Sequence, residues 1–140
     1  MTRLQAGFLF LIAAQAAHSL EEYVGHLWTV LPPARFVSGL VSTNLERGFV
    51  IANAALVLFG VWCFVGPVLR GWKSARLVAW GWAVLEALNG AAHMLWALGQ
   101  RAYRPGLLTA PVLFGVALYV MYALGQGRTS AVIPAERDAH

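Results

Sequence analysis

Residues 77–98 read LVAWGWAVLEALNGAAHMLWAL, a run long enough to cross a bilayer as one helix, since about 20 apolar residues suffice. Three side chains interrupt it, Glu86, Asn89 and His93. They stand at i, i+3 and i+7, so a helix gathers them into one stripe. An ionised group at bilayer depth costs at least ~2.5–3.5 kcal/mol on insertion scales, so residues kept there have partners and a task. The start of the chain repeats the pattern: the apolar segment Leu4–Leu27 carries His18, Glu21 and Glu22 on one helical face, with His26 one turn later. Two further segments complete the set. Phe49–Leu69 holds Asn53, and Leu107–Leu124 has no ionisable side chain except Tyr119 and Tyr122.

These segments predict an all-α membrane protein, a four-transmembrane-helix bundle over residues 1–124, followed by a polar, mobile C-terminal tail over 125–140. Composition agrees. Of 140 residues, 59% are hydrophobic and 11% charged, against roughly 45–50% and about 25% in soluble domains. The mean hydropathy is +0.64. The net charge of +4 comes from Arg and Lys between the apolar segments, where they act as topology signals; a nucleic-acid partner is not expected. Arg3, Arg70, Lys73, Arg76, Arg128 and Arg137 fall on one side, and Arg35, Arg47, Arg101 and Arg104 on the other. That bias predicts a multi-pass protein of a bacterial inner membrane with both termini cytoplasmic. Cys63 is the lone cysteine, so no intrachain disulfide can form. A secretory signal peptide is the rival for the first segment, from Arg3, Phe8–Ala14 and the small residues after them. Cleavage there would remove the polar cluster, and the retained helix is preferred. In the connection Trp28–Arg47, Pro32-Pro33 forbids one continuous helix. Trp28, Trp72, Trp80 and Trp96 are expected at helix ends as interfacial aromatics.

Depth sharpens the polar pattern. His93 lies about five residues, roughly 8 Å, from its helix end. Asn53 and the His18–Glu22 group lie at a similar level of their own segments. Scattered polar residues would not agree in depth. Two histidines, His18 and His93, and four carboxylates, Glu21, Glu22, Glu46 and Glu86, match the ligand chemistry of carboxylate-bridged sites in helical bundles. The expected cofactor is one or two divalent metal ions, iron or manganese favoured and zinc possible. Glu21, Glu22 and Glu86 double as candidate catalytic groups. Asn53, Asn89, Tyr103, Tyr119 and Tyr122 are read as supporting the ligands or lining a substrate groove, together with Thr109.

Named sequence motifs coincide with these positions. His18-Ser19-Leu20-Glu21-Glu22, Asn89-Gly90-Ala91-Ala92-His93 and Tyr103-Arg104-Pro105-Gly106 occur in that order. The chain thereby resembles the HXXEE family of small bacterial membrane proteins, with its Asn-x-x-x-His and Tyr-x-Pro-Gly motifs. The resemblance spans residues 18–106. It implies a shared site and supplies no reaction.

Blander readings compete at several positions. Thr43-x-x-Glu46 is a capping-box pattern, the alternative to ligation by Glu46. Asn53 is more readily an interhelical hydrogen-bond partner than a ligand. His26 belongs at the interface, solvated or paired with Glu22. Tyr103–Gly106 suits a type II turn, placed to cover the cluster. The whole cluster could also be structural glue between helices, although glue is usually built from Ser, Thr and Asn at less cost.

The functional expectation is a metal-dependent membrane enzyme, an oxidoreductase or hydrolase acting on a lipid-like or apolar small molecule drawn from the membrane lipid. A metal-free Glu/His acid–base isomerase or cyclase is the first alternative. A small transporter or proton conductor is another, and bis-histidine haem would leave the carboxylates unexplained. The chain also admits a homo-oligomer.

Overall fold

The computed structural model describes residues 1–129, which are helical and contain no strand. Helix α1 spans Arg3–Val24. Thr2 and Gln5 cap it reciprocally, each side chain accepting from the other's backbone N–H. The chain turns at Gly25 and His26, the latter at φ 52°, into the short α2, Leu27–Val30, and then α3, Pro32–Val41. The proline pair therefore breaks one helix and starts the next. A proline in the first helical position has no N–H to lose and a preset φ.

Helix α4, Leu45–Cys63, is capped by Asn44, which accepts from the Arg47 N–H at 2.9 Å. This corrects the expected Thr43–Glu46 capping box. Glu46 instead accepts from the Tyr23 hydroxyl at 2.9 Å, on the exposed side of the molecule. The helix continues as one π turn, Phe64–Val68, which absorbs Pro67. Helix α5 covers Ala75–Gln100 and α6 covers Ala110–Thr129. The expected tail thus begins inside α6 for residues 125–129, and its remainder lies outside the described residues.

Helix α6 packs between α5 and α1, while α4 lies against α1 and α3. Phe8, Leu11, Trp82, Leu113, Ala117 and Val120 interlock in the main apolar core. A smaller cluster, Leu27, Trp28 and Phe49 with Trp96 against it, joins the loop helices to α4 and α5. Trp28 is 5% exposed, so the interfacial position expected for it gives way to a core position. Its ring lies 5.0 Å from that of Phe49.

The surface inverts the usual pattern. Phe10, Leu58, Leu77, Leu95 and Leu108 are each at least 66% exposed, while Gln15, His18, Glu22, Glu86 and His93 are buried. Among the described residues, Leu45–Val68 is the one helix long and apolar enough to cross a membrane by length and composition; Ala110–Gln126 is apolar but shorter. Helices α1 and α5 have the length. The side chains that dilute their apolar character are those folded inward at one end of the bundle.

Candidate metal centre

Three side chains converge where α1 and α5 approach each other near the loop that joins α5 to α6. Nε2 of His93 lies 3.0 Å from Glu22 Oε1, and Nε2 of His18 lies 3.4 Å from the same oxygen. The imidazoles meet edge to face, with ring centres 4.7 Å apart. Each of the three offers a ligand atom within 4.8 Å of the others, and all three are buried. Helical spacing explains the α1 contribution, because His18 and Glu22 are one turn apart on the buried face.

The other nitrogen of each ring decides what Nε2 presents. His93 Nδ1 is 2.8 Å from the Pro105 carbonyl oxygen. A carbonyl only accepts, so Nδ1 carries a proton, which leaves Nε2 as the ring atom that faces Glu22. At His18 the same result follows through one more step. Glu21 accepts from the Tyr103 hydroxyl at 2.8 Å, the Leu108 N–H at 3.0 Å, the Thr109 N–H at 2.8 Å and the Thr109 hydroxyl at 2.6 Å. With its only hydroxyl proton given to Glu21, Thr109 Oγ1 must accept from His18 Nδ1, 2.8 Å away. His18 Nε2 is therefore the ring atom left to face the cluster, and it is a buried atom without a hydrogen-bond partner. Two Nε2 atoms and a carboxylate oxygen thus face one another, with Nδ1 of each ring already engaged elsewhere.

The loop between α5 and α6 builds this arrangement. Gly106 has φ +93°, and a methyl group on it would lie 2.6 Å from His93 Nδ1 and 2.8 Å from His18 Cε1. Glycine is required on both counts, for the backbone angle and for room. Pro105 seats against Gly25, where a methyl group would come within 2.5 Å of the proline ring. The Arg104 guanidinium lies 5.3 Å from the Trp96 ring centre. The Tyr103 phenol is held above its usual range by partial burial, then by its hydrogen bond to Glu21 and that group's charge. The turn thus covers the pair of histidines, as its sequence position suggested.

The structure separates the remaining candidates. Glu21, expected as a ligand beside Glu22, points to the loop and ties it to α1, because backbone N–H groups at the start of α6 attract a carboxylate. Glu46 is occupied by Tyr23 at the surface. Glu86 is buried one step away, against the Gln15 amide, which also meets Ser19. Ser19 in turn lies 2.7 Å from Asn53 Oδ1. His26 makes no contact with Glu22 and sets its ring edge-on to Trp28. Tyr119 packs beside Gly7, eleven residues or about 16 Å along α1 from His18. Tyr119 and Tyr122 are 45% and 60% exposed, so neither reaches the cluster. Gln15 and Ser19 were missed, although with Glu22 they stand at i, i+4 and i+7. Their neutral polarity gave them no weight beside the charged residues.

Next to the cluster is a cavity of about 260 Å³ between α1, α3, α4 and α5. Glu22, His93, Asn53 and Asn89 give it a polar end, and Leu31, Val37 and Leu56 are among its apolar lining. On the far side of α1 and α4, a groove of about 450 Å³ runs past Ala16, Leu20, Val50 and Val57. Phe49 and Asn53 border both spaces.

A family model described as a protein of unknown function with HXXEE motif matches residues 9–121. No curated protein and no solved structure matches the chain.

Proposed function

We propose, from the premise that the chain belongs to the HXXEE family, that it is a multi-pass membrane protein whose His18, Glu22 and His93 hold one divalent metal ion for chemistry on an apolar substrate. The observation that carries this reading is the convergence of two Nε2 atoms and one carboxylate oxygen on a common point. With both rings neutral, such a set repels itself until a cation joins it. Two ligand atoms each ~2.1 Å from one cation stand ~3.0 Å apart at a right angle and ~3.4 Å apart at the tetrahedral angle. Those are the separations from Glu22 to His93 and to His18. Ring orientation supports the same view, since metal-binding histidines almost always donate their second N–H to a carbonyl, carboxylate or water.

Two histidines and one carboxylate suit zinc or non-haem ferrous iron, each with open positions for water, dioxygen or substrate. The sequence expectation of one or two ions, with iron or manganese favoured, rested on four carboxylates. With Glu21, Glu46 and Glu86 engaged elsewhere, a single zinc or iron is the better fit. A bound ion of this kind lowers the pKa of its water toward ~7 and supplies a nucleophile at neutral pH. The cavity beside Glu22 and His93 would hold the reacting end of an apolar molecule. Four spanning helices, α1, α4, α5 and α6, fit the inverted surface, on which apolar side chains face outward and ionisable ones inward. The charge bias between loops supports an orientation with both termini in the cytoplasm.

The 3.0 Å contact between His93 and Glu22 also supports a metal-free reading, in which a proton replaces the metal and the pair acts as acid and base. Elemental analysis separates the two. Protein purified in detergent without added metal should carry about one zinc or iron per chain, and Glu22→Gln should lose it. Metal-free wild type that stays metal-free after incubation with zinc and with ferrous iron would leave the acid–base reading standing.

A further inference from the structure

Among the described residues, Glu86 is the one buried carboxyl with no part in the cluster, and its neighbours specify its chemical form. The reasoning starts at a backbone carbonyl. The Asn53 amide atom 3.1 Å from the Phe49 carbonyl oxygen must be the nitrogen, because that oxygen only accepts. The other Asn53 atom is then the oxygen, and it lies 2.7 Å from Ser19 Oγ. Ser19 has one hydroxyl proton, which this contact uses. Ser19 can therefore only accept from Gln15, 3.0 Å away, so the Gln15 atom facing it is the nitrogen. That leaves the Gln15 oxygen facing Glu86 Oε2 at 2.6 Å.

Two oxygens at that distance repel unless a proton lies between them. From these contacts we infer that Glu86 is held as an un-ionised carboxylic acid that donates its proton to Gln15. The distance itself agrees: 2.6 Å is short for an N–H···O bond, which spans ~2.7–3.2 Å, and ordinary for O–H···O, which spans ~2.5–3.0 Å. Turning the Gln15 amide over would let it donate to a Glu86 carboxylate. Ser19 would then have to serve two acceptors with one proton, and either Gln15 or Asn53 would keep an unpaired oxygen. Charge points the same way. No lysine or arginine is among the buried side chains of the described residues. The charged group that bears on Glu86 is the Glu22 carboxylate, and its other polar neighbour is the neutral Asn89 amide, so an ionised Glu86 would be a buried anion without a Lys or Arg beside it.

The donors thus run in one direction, from Glu86 through Gln15 and Ser19 to Asn53 and the Phe49 carbonyl. Gln15 and Asn53 line the inner cavity, and Ser19 and Asn53 line the outer groove. Glu86 is accordingly a positioning residue: its proton orients the polar wall that separates the two spaces. This assignment does not depend on a metal at His18, Glu22 and His93.

Infrared difference spectroscopy of the full-length protein in detergent tests it. Wild type at neutral pH should show the carbonyl stretch of a hydrogen-bonded carboxylic acid, shifted in D2O and missing from Glu86→Gln. Glu86→Gln should fold, since its amide N–H replaces the O–H donor. Gln15→Leu gives a second, independent signal, because removing the acceptor should move the band to higher wavenumber. Absence of an acid band in wild type, or a band unchanged by both substitutions, would overturn the inference.

Discussion

The two ends of the bundle are built on different rules. At one end Phe8, Leu11, Trp82, Leu113 and Val120 interlock by shape, and any apolar side chain of the right volume satisfies the physics. At the other end, where His18, Glu22, Glu86 and His93 are buried, each group is held by the direction of its hydrogen bonds. Shape tolerates small errors, because a core can shift by tenths of an ångström. Direction does not. A donor replaced by a methyl of the same size leaves a buried acceptor unpaired, at ~1–3 kcal/mol, and changes what the next group in line can do.

Substitutions can break or sharpen this contrast. The largest effect is expected from His93→Ala, which should abolish metal binding, while His26→Ala should leave it nearly intact, since His26 touches Trp28 and not the cluster. Equal metal in wild type and His93→Ala would remove His93 from the site. Gly106→Ala should come next: the new methyl meets both imidazoles, and the positive φ adds strain of order 1–3 kcal/mol. A fall in thermal stability together with weaker zinc binding is the expected pair of results, and unchanged values in both would disprove the close approach.

Thr109→Val keeps the volume and deletes the hydroxyl between Glu21 and His18. Loss of such a supporting bond typically weakens metal affinity 10–100-fold, measurable by competition with a chelator of known affinity. Retention of full affinity would show that His18 does not depend on Thr109. The smallest effect belongs to the apolar end. Leu113→Met should cost under ~1.5 kcal/mol of stability and leave metal affinity unchanged. If it altered affinity as much as Thr109→Val, the two ends would not be separable.

The all-helical class and the shared face of the α1 polar residues were legible in the sequence, because periodicity is a property of the chain's own spacing; the short helices α2 and α3 inside the first connection were not. His18 and Glu22 share a face by arithmetic, and His93 falls at their level. The division of labour between Glu21 and Glu22 was not legible. Both positions follow His18 by about one turn, and what separates them is the Leu108 and Thr109 N–H groups, far away in the sequence. Backbone partners are invisible to a pattern of side chains, which is also why the Pro105 carbonyl could not be anticipated. Glu46 misled for a related reason: a carboxylate in the first turn of a helix reads equally as cap, ligand or surface group, and Tyr23 settled it. Tyr119 and Tyr122 share a helix with the site but not its depth.

The bond from Thr109 to His18 closes a separation of 91 residues, and those from Glu21 to the same loop close 87 and 88. Closing loops of that length carries an entropic cost and makes such contacts late events in folding. A nascent chain that ends before Thr109 already contains both histidines and Glu22, yet neither the Thr109 hydroxyl nor the docked turn exists to set His18. Assembly of the cluster therefore waits for the segment 103–109 to dock against the first helix. On the proposed metal reading, loading would follow that docking, and chains that end before Tyr103 would bind metal more weakly than the whole protein.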